Sequence, residues 1–257
     1  MNVFPCKTPV ATPRTAAMTT SKAAYDWAAL PHSAIEKLDP NLWRVEGSLP
    51  NMPLRRVMTV ARLENEELII YNAIALDEPE MKELEAWGTP AYLVIPNAWH
   101  KLDAARFATR YPEAKVIAPS AQRAKVLGVV PRAAGPEQLA MNSEVTIREF
   151  EGTGGRELYM TVRSGSHITL ILADAVFNMP HGKGMQGFVL RHVTQSSGGP
   201  RVSRVGRLLL VKDRTAFAAQ LRSLATDDLK RVIVAHHETI SEKPAQALLR
   251  VADSLAT

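Results

Sequence analysis

The chain has 257 residues, of which 46% are hydrophobic and 22% charged, with a formal net charge of +5 and a single cysteine, Cys6. This length fits one large domain or two small ones, and the hydrophobic content excludes a chain that is disordered throughout. No stretch approaches the roughly 18 to 20 uninterrupted apolar residues of a membrane span, and no secretory signal follows the N-terminus, so we expect no membrane partner. One cysteine excludes an internal disulfide and a Cys-based zinc site, and it fits a reducing, cytoplasmic location.

The N-terminal segment is predicted to be a disordered extension over residues 1–38, followed by a single domain over residues 39–257. Lys7, Arg14 and Lys22 account for +3 of the net charge of +5. The rest of the chain is close to neutral and lacks a clustered basic face, so we expect no nucleic-acid partner. The composition of the extension resembles an organellar transit peptide. Pro5 disfavours a helix there, and Met18 offers an alternative start of translation. We therefore favour a disordered extension that results from an upstream start codon.

The first half of the chain alternates strands and helices. Apolar patterning predicts strands over 43–49, 56–63 and 67–75, and the polar turn at 64–66 makes the last two a β-hairpin. A helix is predicted to begin after Asp77, with Glu80 as its capping-box partner, and to end at Gly88 as the C′ residue. The same signals predict the following further elements: buried strands at 91–95 and 115–118, helices at 103–111 and 121–127, and a loop at 130–136.

The second half has the same character. Its predicted elements are strands at 144–150, 157–163 and 167–177 in a meander, a long glycine-rich loop at 180–206, a short strand or helix lead at 208–211, a helix at 215–224, a strand at 231–235 and a helix at 243–255. A single doubly wound sheet fits this order less well, because the hairpins require antiparallel pairs. We therefore predict an α/β (α+β) fold, a four-layer αββα sandwich of two mixed sheets.

Polar side chains of the metal-ligating kind occur at the ends of three predicted strands. His100 and Asp103 follow the first of these strands, Asp174 lies in the second, and His236 and His237 follow the third. Imidazoles and carboxylates bind zinc, iron and manganese, and the loops at strand ends are where α/β folds keep their sites.

Each of these residues also has a structural interpretation. Asp103 is suited to be the N-cap of the next helix, which we favour. Asp174 lies in an apolar strand, so its carboxylate requires hydrogen-bond donors or a cation. His236 and His237 point in opposite directions if the strand continues, so at most one of them faces a given site.

The order of these strand-end clusters resembles the metallo-β-lactamase-fold superfamily, whose first motif is His-x-His-x-Asp-His and whose later strands supply a lone His, an Asp and a final His. Asp174 matches the Asp, and His236 or His237 matches the final His. The segment Leu-Val-Ile-Pro-Asn-Ala-Trp-His at residues 93–100 is similar to a degenerate branch in which Pro-Asn-x-x-His replaces the first motif. The resemblance covers residues 41–255.

The departures from the family pattern limit what the resemblance implies. If His100 takes the second His position of the first motif, Ala98 and Leu102 stand where a His and the Asp are expected, and no His lies near residues 152–155, where the second motif is expected. A two-metal hydrolase is therefore not expected. The resemblance implies one divalent metal (zinc, iron or manganese) held by His100, Asp174 and His236 or His237, with Asp103 as a further candidate ligand. His100 and Asp174 are its candidate catalytic residues.

Three functions are considered. The first is a mononuclear metal-dependent hydrolase of a small ester or thioester, whose partner is a small-molecule substrate. The second is a metal-free pseudoenzyme that acts as a binding or scaffolding protein. The third, a dinucleotide-binding enzyme, rests on Gly-x-Gly-x-x-Gly at residues 182–187, but residues 188–190 are predicted to be extended rather than helical. We interpret this glycine segment as a flexible loop over the site, with His181 as an outside candidate ligand. The oligomeric state is left open.

Overall fold

The N-terminal part of the fold begins earlier than the predicted boundary at residue 39. The computed structural model describes residues 26–139 and 144–255, so residues 1–25 of the predicted extension over 1–38 lie outside the described residues. The indole Nε1 of Trp27 donates a hydrogen bond to the carbonyl of Leu76 at 2.8 Å. Strand β1 (Glu36–Asp39) pairs with β2 (Leu42–Leu49), so residues 36–38, which the sequence assigns to the extension, belong to the first sheet.

The first sheet has seven strands in sequence order. They are β1, β2 (Leu42–Leu49), β3 (Met52–Arg62), β4 (Glu67–Tyr71), β5 (Thr89–Val94), β6 (Lys115–Ile117) and β7 (Ala133–Ala134). The pairs from β1 to β4 are antiparallel, which confirms the predicted hairpin, and the pairs from β4 to β7 are parallel. The predicted strand 67–75 ends at Tyr71, and the predicted loop 130–136 contains the short edge strand β7.

The second sheet has four strands in the order β13-β10-β9-β8. They are β8 (Val145–Glu149), β9 (Leu158–Ser164), β10 (His167–Leu172) and β13 (Leu229–Val234), with an antiparallel meander and β13 parallel to β10. The prediction of one strand over 167–177 is wrong. Strand β10 ends at Leu172 because the amides of Asp174 and Ala175 donate to the carboxylate of Glu157 instead of to a neighbouring strand. The chain then forms β11 (Phe177–Met179), which pairs with β12 (Gly199–Arg201).

Seven α-helices lie among the described residues. They are α1 (Glu78–Trp87), α2 (Ala104–Arg110), α3 (Arg123–Leu127), α4 (Gly184–Phe188), α5 (Arg204–Leu209), α6 (Arg214–Leu224) and α7 (Pro244–Asp253). The extended conformation predicted for 188–190 is wrong, because α4 continues into a π-helical turn at Val189–Val193. Among the described strands none pairs with this apolar run, and local helical bonds such as Thr194 N to Val189 O at 3.0 Å satisfy its backbone. No helix of the described ranges is long and apolar enough to span a membrane.

Helix α1 has the predicted position but not the predicted caps. The side chain of Asp77 makes no capping hydrogen bond, so the capping box with Glu80 does not form. Gly88 follows the helix in an extended conformation rather than a left-handed one. A Cβ at Gly88 would lie 2.3 Å from the carbonyl oxygen of Glu66, so this position needs glycine because two backbone segments approach closely there.

The core has three apolar layers, as a four-layer αββα sandwich requires. The middle layer joins the two sheets, for example through Tyr71 and Val94 on one side and Leu158 and Ile171 on the other. Helices α1, α2 and α3 cover the outer face of the first sheet, and α6 and α7 cover the outer face of the second. The predicted fold class is therefore confirmed, and this sandwich brings the strand ends of both sheets to one edge.

Candidate metal centre

Three of the predicted site residues converge at this edge. His100 lies beyond β5, Asp174 beyond β10 and His236 beyond β13. The Nε2 atom of His100 lies 3.0 Å from Asp174 Oδ2, and the Nε2 atom of His236 lies 3.3 Å from Asp174 Oδ1. The three potential ligand atoms all lie within 4.8 Å of one another. The carboxylate thus stands between two imidazoles that come from different sheets.

Both imidazoles are held in place at Nδ1. His100 Nδ1 lies 3.0 Å from Asn72 Oδ1, and His236 Nδ1 lies 2.9 Å from the carbonyl oxygen of Arg55. The amide of Asn72 is itself oriented, because its Nδ2 donates to the carbonyl of Val57 at 2.7 Å. Each ring therefore donates Nδ1–H to a fixed acceptor and directs Nε2 toward Asp174.

This arrangement leaves both nitrogens of each imidazole facing an acceptor. With the proton on Nδ1, a neutral ring has a lone pair on Nε2, which would repel the carboxylate oxygen beside it. The contact is relieved by a second proton on each ring or by a cation among the three groups. Imidazoles that donate Nδ1–H to a carbonyl and present Nε2 are typical metal ligands, so the donor set fits one divalent metal.

The carboxylate of Asp174 is held in its ionised form. Burial raises its pKa, but the charges and hydrogen bonds of His100 and His236 outweigh burial and leave the pKa well below its usual range. In turn, burial lowers the pKa of His236, but Asp174 more than compensates and raises it. The side-chain amide of Asn97 donates to Asp174 Oδ2 at 2.8 Å and fixes the carboxylate further.

Glu157 holds the Asp174 segment in place beneath the site, and it is not among the site residues predicted from the sequence. Its carboxylate is fully buried and accepts hydrogen bonds from the amides of Asp174 and Ala175 and from Asn97 Nδ2, at 3.0, 2.8 and 3.1 Å. Burial, together with the charge of Asp174, raises its pKa to about 8. The available signal was an acidic residue at the start of an apolar strand, separated from the glycine loop at 152–155 by Arg156.

Two of the predicted candidates lie outside the cluster. The carboxylate of Asp103 accepts from Arg56 Nη1 at 2.6 Å, from Arg106 Nη1 at 2.7 Å and from the amide of Ala75 at 3.1 Å, and it does not cap α2. His237 has a φ of 67°, which ends the extended backbone after β13, and His236 is the histidine that faces Asp174. Burial and the charge of His236 lower the pKa of His237.

A second group of potential ligands, His32, Asp77 and Glu80, is less suited to a metal. The Nε2 atom of His32 accepts a hydrogen bond from the backbone amide of Asp77 at 3.0 Å. The lone pair on Nε2 of His32 is therefore engaged in this hydrogen bond and does not face a metal.

The glycine segment does not form a phosphate-binding loop. A Cβ at Gly187 would lie 2.0 Å from the carbonyl oxygen of Gly182, so the glycines allow the segment to fold back on itself. Helix α4 begins inside the segment, at Gly184, and has only five residues. His181 Nδ1 lies 3.1 Å from Ser197 Oγ, and His181 is not part of the three-ligand cluster.

The cluster forms the floor of a cavity with a volume of ≈ 530 Å³. His100, Asp174 and His236 line it together with Asn72, and Asp174 is the one acidic residue among its described lining residues. Apolar walls come from both halves of the chain, and they include Leu49, Met52, Trp99, Phe177, Leu190 and Leu209. Such a cavity, apolar with a few convergent polar groups, is typical of a small-molecule site.

The similarity of this chain to known proteins lies in its structure and not in its sequence. No family model matches the sequence, and no curated protein matches it. The solved metallo-β-lactamase DIM-1 superposes with a TM-score of 0.57 at 11% identity, covering 90% of this chain and 100% of that one. FIM-1 from Pseudomonas aeruginosa, a metallo-β-lactamase in its mono-zinc form, gives 0.56 at 11% identity over 88% and 96%. The metallo-β-lactamase from Pontibacter korlensis gives 0.52 at 9% identity over 85% and 98%.

Proposed function

We propose, from the premise that this chain has the metallo-β-lactamase fold, that it is a mononuclear metal-dependent hydrolase of a small ester or thioester. The observation that carries the proposal is the convergence of two imidazole Nε2 atoms on one carboxylate, with both Nδ1 atoms already bonded to fixed acceptors. Three protein ligands leave a position open for water or substrate, as catalytic metal sites do. The solved structures support the fold, and the substrate and the metal are our inference.

Different residues of the chain would bind the metal, orient its ligands and accept a proton. A divalent metal at His100, Asp174 and His236 would lower the pKa of a bound water and polarise the scissile carbonyl. Asn72 and the carbonyl of Arg55 orient the two imidazoles, and Asn97 and Glu157 position the Asp174 carboxylate. An Asp174 oxygen that is not bound to the metal can accept a proton from the attacking water.

The cavity walls suit the acyl side of an ester or thioester. The walls place apolar side chains next to the polar floor of the cavity. An apolar acyl group bound against these walls would exclude water from the reacting carbonyl. The hydroxyls along the wall are already engaged in the fold. Ser203 Oγ accepts from the amide of Gly206 at 3.0 Å, and Thr194 Oγ1 lies 2.8 Å from Ser196 Oγ. No nucleophilic side chain is therefore assigned, and water is the attacking group.

The test is the metal content of the protein after dialysis against zinc, iron or manganese and then against buffer. We expect close to one metal per chain by elemental mass spectrometry, lost in His100→Ala, Asp174→Ala and His236→Ala. His237→Asn is the matched control, because Asn tolerates the left-handed backbone and the residue lies outside the cluster. It should retain the metal. The loaded wild type should hydrolyse p-nitrophenyl esters or acyl thioesters, and Asp174→Asn should not.

The metal-free pseudoenzyme remains the second candidate, because doubly protonated imidazoles also satisfy Asp174 and the family's other ligands are absent. Protein that stays folded and takes up none of the three metals would reject the hydrolase and favour this candidate. In that case the Nε2 proton of His236 should be visible by NMR, since it would be held against the carboxylate of Asp174.

A further inference from the structure

The exposed apolar side chains of the molecule are concentrated around the mouth of the cavity. We define the cap segment as residues 183–212, which comprise α4, the π-helical turn, β12 and α5. Its side chains Met185, Phe188, Val193 and Leu208 are exposed by 78%, 57%, 52% and 70%. Across the mouth, Trp99 is exposed by 51%. Several large apolar side chains exposed within one short segment are uncommon in a monomeric protein unless they contact a partner.

The cap segment is also strongly basic, which corrects the expectation that the chain beyond its N-terminal segment lacks clustered basic residues. No Asp or Glu occurs between Asp174 and Asp213, whereas six cations do, namely Lys183, Arg191, Arg201, Arg204, Arg207 and Lys212. Their charge of +6 exceeds the +5 of the whole chain, so the remainder of the molecule is slightly acidic. Four of these cations are exposed and form no salt bridge with any residue that the structure describes, namely Lys183, Arg191, Arg204 and Lys212.

Exposed apolar and cationic side chains alternate along the cap segment itself. Phe188 is followed by Arg191, and Arg204 by Val205 and Leu208. The two parts of the segment are tied together, because the amide of Arg204 donates to the carbonyl of Thr194 at 2.8 Å. Apolar side chains next to Lys and Arg, with an aromatic residue at the edge, are the composition of protein surfaces that lie in a membrane interface.

We propose that the cap segment docks this protein on an anionic lipid bilayer. The apolar side chains enter the boundary between headgroups and acyl chains, and the unpaired cations contact anionic headgroups. This proposal departs from the expectation of no membrane partner, which rested on the lack of a membrane-spanning segment, because a surface contact needs no such segment. The cavity opens within this surface, since Leu190, Val205 and Leu209 of the cap segment line its wall. With the proposed hydrolase function as a premise, an apolar substrate would reach the cavity from the bilayer.

The charge of the cap segment favours an anionic bilayer over a second copy of the chain as its partner. Two cap segments placed face to face would bring together two acid-free surfaces of like charge, which opposes association. An anionic bilayer supplies both an apolar interior and negative charge, which complement the two properties of the patch. A bilayer also tolerates the irregular outline of α4, β12 and α5, whereas a protein partner must match it in shape.

The test is flotation of the full-length protein with phosphatidylcholine vesicles, with or without phosphatidylglycerol. We expect binding to the anionic vesicles that weakens as salt rises. Arg191→Gln and Arg204→Gln should each lower the vesicle affinity about fivefold. Phe188→Ser and Leu208→Ser should each lower it about tenfold or more. The matched control is Leu127→Ser with Leu249→Ser, because these side chains are exposed by 38% and 39% but lie outside the cap segment.

Three results would overturn the proposal. One is the absence of binding to either kind of vesicle. Another is equal binding in the cap and control variants, because binding through the basic N-terminal residues, which are the same in all of them, would give that result. The third is concentration-dependent dimerisation through the cap segment without vesicle binding. Because vesicle binding is measured on both chelated and metal-loaded protein, its outcome is independent of the proposed metal site.

Discussion

Two buried aspartates show how identical side chains acquire different roles from their neighbours. Asp103 is surrounded by fixed cations, with Arg56 and Arg106 on its two oxygens. Asp174 instead faces two imidazoles, whose protons can be exchanged for a metal. The first aspartate holds the loop after β5 to the first sheet, and the second is available for chemistry. The two residues should therefore respond differently to substitution.

Replacing Asp103 tests its structural role. In Asp103→Ala the guanidinium of Arg56, whose side chain is exposed by only 4%, loses its carboxylate partner. We expect a loss of about 3 to 5 kcal/mol in the free energy of unfolding, measured with urea, and unchanged metal stoichiometry in the folded protein. Asp77→Ala, at a carboxylate exposed by 71%, is the control and should cost no more than about 0.5 kcal/mol. A loss of metal without a loss of stability in Asp103→Ala would contradict this assignment.

Glu157 gives a prediction for pH. Its pKa is raised from 4.5 to about 8 in the folded protein, so the folded state binds this proton more tightly than the unfolded state does. The free energy of unfolding of chelated protein should therefore fall as the pH rises from 4.5 to about 8. Glu157→Gln should remove this part of the slope, as measured by urea unfolding at both ends of the window. A slope that is identical in the two proteins would mean that Glu157 does not titrate there.

The smaller remaining slope in Glu157→Gln belongs in part to His236. The raised pKa of His236 contributes stability below 6.5, and this stability is lost as the pH rises through its folded-state pKa. Replacing His236 in the Glu157→Gln background should therefore flatten the curve further.

At the scale of elements, the turns between strands determine how the second sheet packs against its helices. The glycine loop between β8 and β9 packs on the start of α6, where the amides of Lys212 and Asp213 both donate to the carbonyl of Gly152, at 2.7 and 3.0 Å. Gly152 has a φ of 78°, and a Cβ there would lie 2.4 Å from the amide nitrogen of Phe217. The loop that leads to Glu157 is therefore fixed by a close backbone contact with α6.

Substituting two glycines separates the backbone effect from the contact. Gly165→Ala places a Cβ in open space at a φ of 60°, and we expect it to cost about 1 kcal/mol from the left-handed backbone alone. Gly152→Ala has the same backbone cost and also a clash with α6, and we expect about 2 to 5 kcal/mol in total. Thermal or urea unfolding of both variants gives the comparison. Equal losses would show that α6 moves away without resistance.

At the scale of the whole molecule, the candidate site links the two sheets. His100 belongs to the first sheet, whereas Asp174 and His236 follow strands of the second. The backbone reinforces this link, because the amide of Val57 in β3 donates to the carbonyl of Ala235 beside His236, at 2.9 Å. A metal bound by these three residues would connect both halves of the sandwich, so binding should stabilise the entire fold.

Thermal unfolding measures this coupling. At a free metal concentration of about 100 times Kd, binding to the folded state alone adds about 2.7 kcal/mol, which corresponds to a rise of roughly 5 to 10 °C in Tm for a chain of this size. His100→Ala and His236→Ala should lose the rise, and His237→Asn should keep it. An equal rise in all variants would indicate metal binding elsewhere.

The sequence by itself determined the order of the elements and the fold class, because apolar periodicity and turn residues are local properties. It also placed His100, Asp174 and His236 at strand ends, since polar residues directly after buried strands stand out in an apolar context. It could not choose between His236 and His237, because that choice depends on a positive φ after β13. It likewise predicted a single strand over 167–177, where backbone amides turn toward a distant carboxylate.

Only the tertiary structure decided which polar residues meet. Glu157 and Asn97 reach Asp174 across 17 and 77 residues of sequence, and Asn72 reaches His100 across 28. Arg56 and Arg106 engage Asp103 and take it away from the cluster. The cap segment, which the sequence suggests is a loop, folds into short helices whose apolar side chains remain exposed. Local patterns fix where the chain bends and what it buries, but the partners of a buried charge are set by packing between distant segments.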